Sequence, residues 1–215
     1  MKSMHAAAIL ILALSPLAAH AGTARGEVAQ ALADARAEIR ADLAQERAKL
    51  ENENLALGDT LRFGKESKAE ADRRHALPPG EITPTGDFLV DGKPVAIDAG
   101  QRAQLLAYRA RVIDLAKTGI DAGERAAMLA IDATDVGMFH LFFSAMTGSL
   151  ERKVRATVVR EIQPAVLRIC HGLPELRDSQ QRLAASLPEF KPYATLEEND
   201  IDDCERDVRK ELAMR

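Results

Sequence analysis

The chain of 215 residues contains no tryptophan, two tyrosines and six phenylalanines, and it has only two cysteines. It also lacks an excess of positive charge, because 29 Lys and Arg stand against 33 Asp and Glu. Nucleic-acid-binding domains present a basic face, so this balance argues against nucleic acid as a partner. The two cysteines do not form a C-x-x-C motif, which argues against a thioredoxin-type redox site.

Motifs of the common enzyme classes are missing as well. The sequence shows no nucleophile elbow, zinc-protease helix, phosphate-binding loop or dinucleotide fingerprint. His140 has no second histidine at helical spacing, and the acidic residues from Glu197 to Asp203 do not fit a calcium-binding loop of twelve residues. We therefore expect a protein that is not an enzyme and that binds no metal or cofactor. An enzyme of unidentified class, with a site assembled from scattered residues, is the alternative.

The first 21 residues have the pattern of a cleaved export signal. Lys2 gives a positive start, residues 6–14 form an apolar core, and Ala19-His20-Ala21 fits an A-x-A cleavage site. The apolar core is too short to cross a bilayer, which takes about 20 residues. We expect cleavage after Ala21 and a mature chain in the periplasm of a Gram-negative cell.

Abundant Ala, Leu, Arg and Glu predict a mainly α protein, a helical bundle with a small antiparallel β-hairpin or meander near residues 55–97. Residues 24–53 are predicted to form a long helix with a narrow apolar stripe at coiled-coil-like spacing. Such a helix is expected to lie on another helix of this chain or of a second chain. The members of the stripe are Val28, Leu32, Ala35, Ile39, Leu43 and Leu50.

The stretch from Glu81 to Ala116 is predicted to be a β-hairpin that runs into an amphipathic helix. Residues 88–90 and 95–97 favour strands, residues 55–57 favour a third, and Pro78-Pro79-Gly80 reads as a breaker. Asp98 and Gln101 fit a capping box at the start of the helix. Its apolar face consists of Leu105, Tyr108, Val112, Ile113 and Ala116, with the stem of Arg109 along its edge.

The same stretch carries a family resemblance. The pattern I-T-P-x-G-D-x-L-V-D-G-K-P-V, followed by A-x-Q-R-A-x-L-L-x-Y-R, resembles the YggN-like family of periplasmic proteins. The resemblance implies an exported protein, and it brings no assigned activity or site residues. The matching residues are Ile82, Thr83, Pro84, Gly86, Asp87, Leu89, Asp91, Gly92, Lys93, Gln101, Arg102 and Tyr108.

The segment 136–146 is unusually apolar and holds three phenylalanines and two methionines. It is predicted to be a helix that is either the buried centre of the bundle or a surface that meets a partner or a membrane. The candidate interaction surface consists of Met138, Phe139, Leu141, Phe142, Phe143 and Met146.

The following helix is predicted to begin at Ser149 and to carry a basic side that could face anionic lipid. Pro164 is expected to kink or split it. Gly172 is expected to end a helix and Pro174 to begin the next, so that the two pack as an αα-hairpin. The basic residues are Arg152, Lys153, Arg155 and Arg160, and the apolar face of the second helix is Leu173, Leu176, Gln180, Leu183, Leu187 and Phe190.

Cys170 and Cys204 are predicted to form a disulfide, because export places them in an oxidising compartment. The bond would tie down a last short helix, at about residues 203–213.

The predicted organisation is a signal peptide, residues 1–21, followed by three stretches of one structural domain at 22–215: residues 22–80, 81–172 and 173–215. We expect an exported, non-catalytic protein-interaction or envelope-structure module, with a protein partner or a second copy of itself. A peripheral membrane-surface protein that uses the apolar helix 136–146 is the alternative.

Overall fold

The computed structural model describes residues 17–57, 77–135 and 149–213, with side chains for 26–57, 77–132, 157 and 159–210. The mainly α fold with a small antiparallel sheet is confirmed. The elements are α1 Leu17–Asn52, β1 Leu55–Leu57, β2 Gly80–Ile82, β3 Phe88–Val90, β4 Lys93–Pro94, α2 Ala99–Asp135, α3 Ser149–Ser186, a 3-10 helix Pro188–Tyr193 and α4 Glu198–Ala213. Helix α1 begins upstream of the predicted cleavage after Ala21, and the export signal stays a prediction.

The sheet is antiparallel throughout, in the order β1-β2-β3-β4. Asp91 and Gly92 have positive φ of 52° and 70°, as a two-residue turn between tight antiparallel strands requires. This turn pairs Val90 with Lys93. The predicted second strand at 95–97 is therefore wrong, because the tight turn places the pairing residues directly after Gly92. Gly80, which the sequence marked only as a breaker, begins the central strand β2.

Helix α2 begins with the predicted capping box. The Asp98 carboxylate accepts a hydrogen bond from the backbone N–H of Gln101 at 2.8 Å, and the Gln101 side chain accepts one from the N–H of Asp98 at 2.9 Å. The side-chain nitrogen Nε2 of Gln101 also donates to the carbonyl of Ser186 at 2.6 Å. The start of α2 is thereby held against the end of α3.

Helix α3 is continuous from Ser149 to Ser186 and contains both Pro164 and Pro174. A split at Pro164 is therefore excluded, a kink there stays a prediction, and the predicted αα-hairpin at Gly172 is wrong. A Cβ added at Gly172 would lie 2.7 Å from Leu115 Cδ2, so this glycine allows close packing of α3 on α2 and does not end a helix. The apolar residues on either side of Gly172 stay in one core, which compensates for the hydrogen bonds lost at the prolines.

The core lies where the sheet, α2, the second half of α3 and α4 meet. The predicted apolar face from Leu173 to Phe190 is buried, but only its members up to Leu183 lie in α3, since this helix ends at Ser186 and Phe190 belongs to the 3-10 helix. Phe190 packs edge-on against Tyr108 and lies next to Phe88. Gln180 is buried with both ends of its amide used, since it donates to the Tyr193 carbonyl at 3.1 Å and accepts from the Leu196 N–H at 2.9 Å.

The predicted disulfide is present and joins α3 to α4. Cys170 and Cys204 have their Cα atoms 5.7 Å apart. Helix α4 begins at Glu198, five residues earlier than predicted. The Asp200 carboxylate accepts a hydrogen bond from the Glu197 N–H at 2.8 Å, so part of the acidic segment caps this helix.

Candidate interaction surface

One face of helix α1 packs against α2, and α2 covers that face only partly. None of its described side chains, from residue 26 to residue 52, is fully buried. Leu32, Ile39 and Leu43 of the predicted stripe are half-buried, and Val28 is 52% exposed. The stripe therefore faces another helix, as its spacing predicted, and that helix, α2, covers it only partly. We call the six stripe residues named above the α1 stripe.

Ion pairs connect the two helices beside this stripe. Arg47 donates to Asp121 at 2.7 Å and to Glu124 at 2.8 Å, and Arg36 pairs with Asp132 at 2.9 Å. These hydrogen bonds, first to Glu124 and then to Asp121, raise the pKa of Arg47. The positions along α1 increase as those along α2 decrease, so the two helices run antiparallel.

Two more contacts complete this ion-pair ladder. Arg40 lies 3.7 Å from Glu124, and Lys117 of α2 pairs with Glu51 near the end of α1. The hydrogen bond from Lys117 lowers the pKa of the Glu51 carboxyl group. All of these side chains retain contact with solvent, so the ladder orients the helices more than it stabilises them.

A different contact holds the end of α1. Nη2 of Arg109, on α2, donates to the carbonyls of Leu50, Glu51 and Glu53 at 3.1, 2.7 and 2.9 Å. The last carbonyls of a helix lack partners within the helix and carry partial negative charge, so a cation is favoured there. The side chain of Arg109 is 4% exposed, and burial lowers its pKa. Its Nη1 is buried and has no hydrogen-bond partner among the described residues.

The sequence placed only the stem of Arg109 along the edge of an apolar face. The structure buries the whole side chain and uses its charge to cap a neighbouring helix. A cation at a core-facing position was the available signal for such a role, since a buried charge needs partners.

A groove of about 410 Å³ lies beside the ladder, between α2 and α3. Its apolar part consists of Met128 and Leu129, and Arg36 and Arg47 of α1 reach carboxylates on its rim. The remaining lining residues are Asp121, Glu124, Arg125, Asp132 and Glu161. This lining contains no Ser, Cys or His, and no group of three or more potential metal ligands occurs among the residues that the structure describes.

The predicted apolar surface lies outside the described residues, so its two interpretations both stay open. It comprises Met138, Phe139, Leu141, Phe142, Phe143 and Met146. The side chains of Arg152, Lys153 and Arg155 also lie outside the described set. Arg160 is exposed, with its Nε 3.7 Å from Glu161. The structure thus places one residue of the predicted basic side on the surface.

Residues 83–87, which are part of the stretch that carries the family resemblance, form a tight turn next to α2. Arg102 donates to Asp87 at 2.5 Å, and Thr85 donates to the same carboxylate at 2.9 Å. These bonds, that from Arg102 first, lower the pKa of Asp87. Gly86 has φ of 83° and donates its N–H to the Thr83 carbonyl at 3.0 Å. The turn residues therefore hold the start of β3 against α2.

These features define a mainly α protein with a small sheet, in which the apolar surface along α1 and α2 is only partly covered. Comparisons of the chain with family models, with curated proteins and with solved structures find no match. The YggN-like resemblance therefore rests on the residues quoted above and stays a prediction. Within the described ranges, no helix has both the length and the apolar character needed to span a membrane.

Proposed function

We propose that the protein is exported to the periplasm and serves there as a non-catalytic module that binds another protein through the α1–α2 surface. The observation that carries the proposal is the α1 stripe, whose large side chains line up along the helix without being fully buried. The pattern of the first 21 residues supports the export.

A helix gains most of its stability from burying an apolar face, and α1 buries its own incompletely. Leu32, Ile39 and Leu43 keep apolar area available, and Met128 and Leu129 add to it in the groove beside them. A partner helix with an apolar stripe of its own would cover both. Methionine suits such a surface because its flexible side chain adapts to different partners.

The charge on this surface favours a protein over anionic lipid. The described side chains of α1, residues 26–52, include six acidic and four basic residues. The arginines Arg36 and Arg47 are already paired with carboxylates of α2. A negatively charged membrane would be repelled by the remaining acidic excess.

Site-specific photo-crosslinking in cells tests the proposal. A photoreactive residue at Ile39 lies on the stripe, and the same residue at Ala41, on the exposed side of α1, is the matched control. We expect a discrete adduct from Ile39 and none from Ala41. Absence of an adduct at Ile39 and at Leu43, in protein that is folded and exported, would contradict the proposal.

Two other outcomes would favour a different binding partner. An adduct with twice the mass of the chain would indicate self-association. Flotation of the purified protein with anionic liposomes, lost at high salt, would favour the membrane-surface alternative. Fractionation and mass measurement of the mature chain test export, with cleavage expected after Ala21.

A further inference from the structure

The attachments of α1 to the rest of the molecule are of two kinds. Along residues 26–49 the attachments to other described residues are half-buried stripe residues and ion pairs that remain in contact with solvent. At the last turn they consist of the buried Arg109, which holds the carbonyls of Leu50, Glu51 and Glu53. Leu55, which begins β1 directly afterwards, is 5% exposed. One end of α1 is therefore anchored in the core and the rest is not.

Local stability in a protein follows the number of buried apolar contacts, and segments with few of them open without global unfolding. Ion pairs on the surface add little and are screened by salt. By contrast, α2 and α3 meet through fully buried residues such as Leu105, Val112 and Ala165. The contact of α1 with α2 is thus weaker than the contact of α2 with α3.

We propose that α1 is a strap: residues 26–49 open away from α2 as a unit, while the last turn stays held by Arg109. Opening breaks the ion pairs of Arg36, Arg40 and Arg47 and exposes the α1 stripe up to Leu43 together with the facing side of α2. Asp121, Glu124 and Asp132 lose the arginines that neutralise them in the closed form.

The opening has a consequence for binding, which rests on the function proposed above. A partner helix that carries both an apolar stripe and basic residues would bind the opened surface, where it would cover the α1 stripe and pair with the carboxylates of α2. The closed strap would then limit access to the surface, and conditions that weaken the ladder would increase access.

Hydrogen–deuterium exchange of the full mature chain, followed by mass spectrometry, tests the opening. We expect amides of residues 26–48 to exchange about 100-fold faster than those of residues 105–115 in α2. Raising the salt from about 0.05 M to about 1 M should speed exchange in α1 about tenfold and leave α2 and α3 unchanged. Amides 50–53 should stay more protected than the rest of α1.

Two matched variants separate the ladder from a general effect of charge. Arg47→Leu removes the contacts to Asp121 and Glu124, and should speed exchange in α1 about fivefold without changing α2 or α3. Arg125→Leu is the control, because Arg125 lines the same groove and forms no ion pair with the described residues. It should leave exchange in α1 as it is.

Three results would overturn the strap: α1 exchanging together with α2 and α3, α1 unprotected at every salt concentration, or α1 exchange that responds to neither salt nor Arg47→Leu. These results are independent of the crosslinking experiment. A strap that opens in a protein without crosslinked adducts would leave the inference standing and the proposed partner refuted.

Discussion

Replacing Arg109 with methionine tests whether a single buried cation holds the end of α1. Hydrogen bonds to charged groups contribute about 1.5–3 kcal/mol each. The two hydrogens of Nη2 are shared among three carbonyls, at 2.7–3.1 Å, so the loss corresponds to about two such bonds, or about 3–6 kcal/mol.

Part of that loss is returned in the variant. Burial lowers the pKa of Arg109, and its Nη1 has no partner among the described residues, so the native side chain carries an unfavourable desolvation cost. Methionine removes this cost and keeps most of the buried stem. We therefore expect Arg109→Met to lower the free energy of unfolding by about 2–4 kcal/mol.

Urea denaturation followed by circular dichroism measures this change. The control is Arg111→Met on the same helix, because among the described residues Arg111 bonds to the Ala107 carbonyl of its own helix and to no other helix, and it is solvent-accessible. Its effect should stay within about 0.5 kcal/mol. A loss below about 1 kcal/mol for Arg109→Met, comparable to the control, would refute the reasoning that Arg109 anchors α1.

Other predictions concern the packing, the disulfide and the alkaline limit of stability. Gly172→Ala should destabilise the protein by about 1–3 kcal/mol in thermal melts, because its new Cβ would lie 2.7 Å from a side chain of α2. A Cβ at Gly119 would have no neighbouring atom within 4 Å, so Gly119→Ala should stabilise the protein by about 0.5–1 kcal/mol. A stabilising Gly172→Ala or a destabilising Gly119→Ala would contradict the conclusion that Gly172 is packed closely against α2 and Gly119 is not. Thiol titration of the denatured, unreduced protein should find no free thiol, and replacing Cys170 and Cys204 with serine should cost about 3–4 kcal/mol, since the bond closes a loop of 34 residues. Two free thiols would rule out the bond. Burial raises the pKa of Tyr108 to about 12, so its contribution to stability is complete below its unfolded pKa of about 10 and is lost as the pH rises towards 12. In that range the free energy of unfolding of the wild-type protein should fall by about 1.4 kcal/mol per pH unit more than that of Tyr108→Phe. Equal pH dependence of the two proteins would contradict the raised pKa of Tyr108.

Local chemistry made several elements predictable from the sequence. The capping box at Asp98 and Gln101 depends on side chains three residues apart, and β1 at Leu55–Leu57 follows strand propensity. The pairing of Cys170 with Cys204 follows from their being the only two cysteines. Each of these predictions needed only neighbouring residues or a count.

The wrong strand at 95–97 has a local cause, the two-residue turn at Asp91 and Gly92, whereas contacts between distant residues explain other features that the sequence did not predict. Gly172 was expected to end a helix, and the reason for the glycine is the close approach of Leu115, 57 positions earlier in the chain. Likewise, the carbonyls that bind Arg109 lie 56–59 positions away. The helical period gave the face on which each residue lies, but it gave no information on what the face meets.

The α1 stripe shows the same limit on the candidate site. Its spacing predicted which side of α1 would face another helix, and Leu32, Ile39 and Leu43 do lie on the covered side. The spacing could not identify α2 as the partner or show that the cover is incomplete. The choice of α2 as the neighbour depends on residues far along the chain, since Asp121, Glu124 and Asp132 pair with the arginines of α1.

The distribution of polar contacts explains why we expect a partner on α1 and α2 and not near the sheet. Around the sheet, Gln180 and Tyr193 use their polar groups to hold backbone, since the Tyr193 hydroxyl donates to the Pro78 carbonyl at 2.7 Å. Arg102 and Asp87 are likewise engaged with each other. A ligand there would have to break contacts that hold the core. Between α1 and α2 the ion pairs of Arg36 and Arg47 remain in contact with solvent, and a partner can exchange them for its own while the disulfide-linked core stays unchanged.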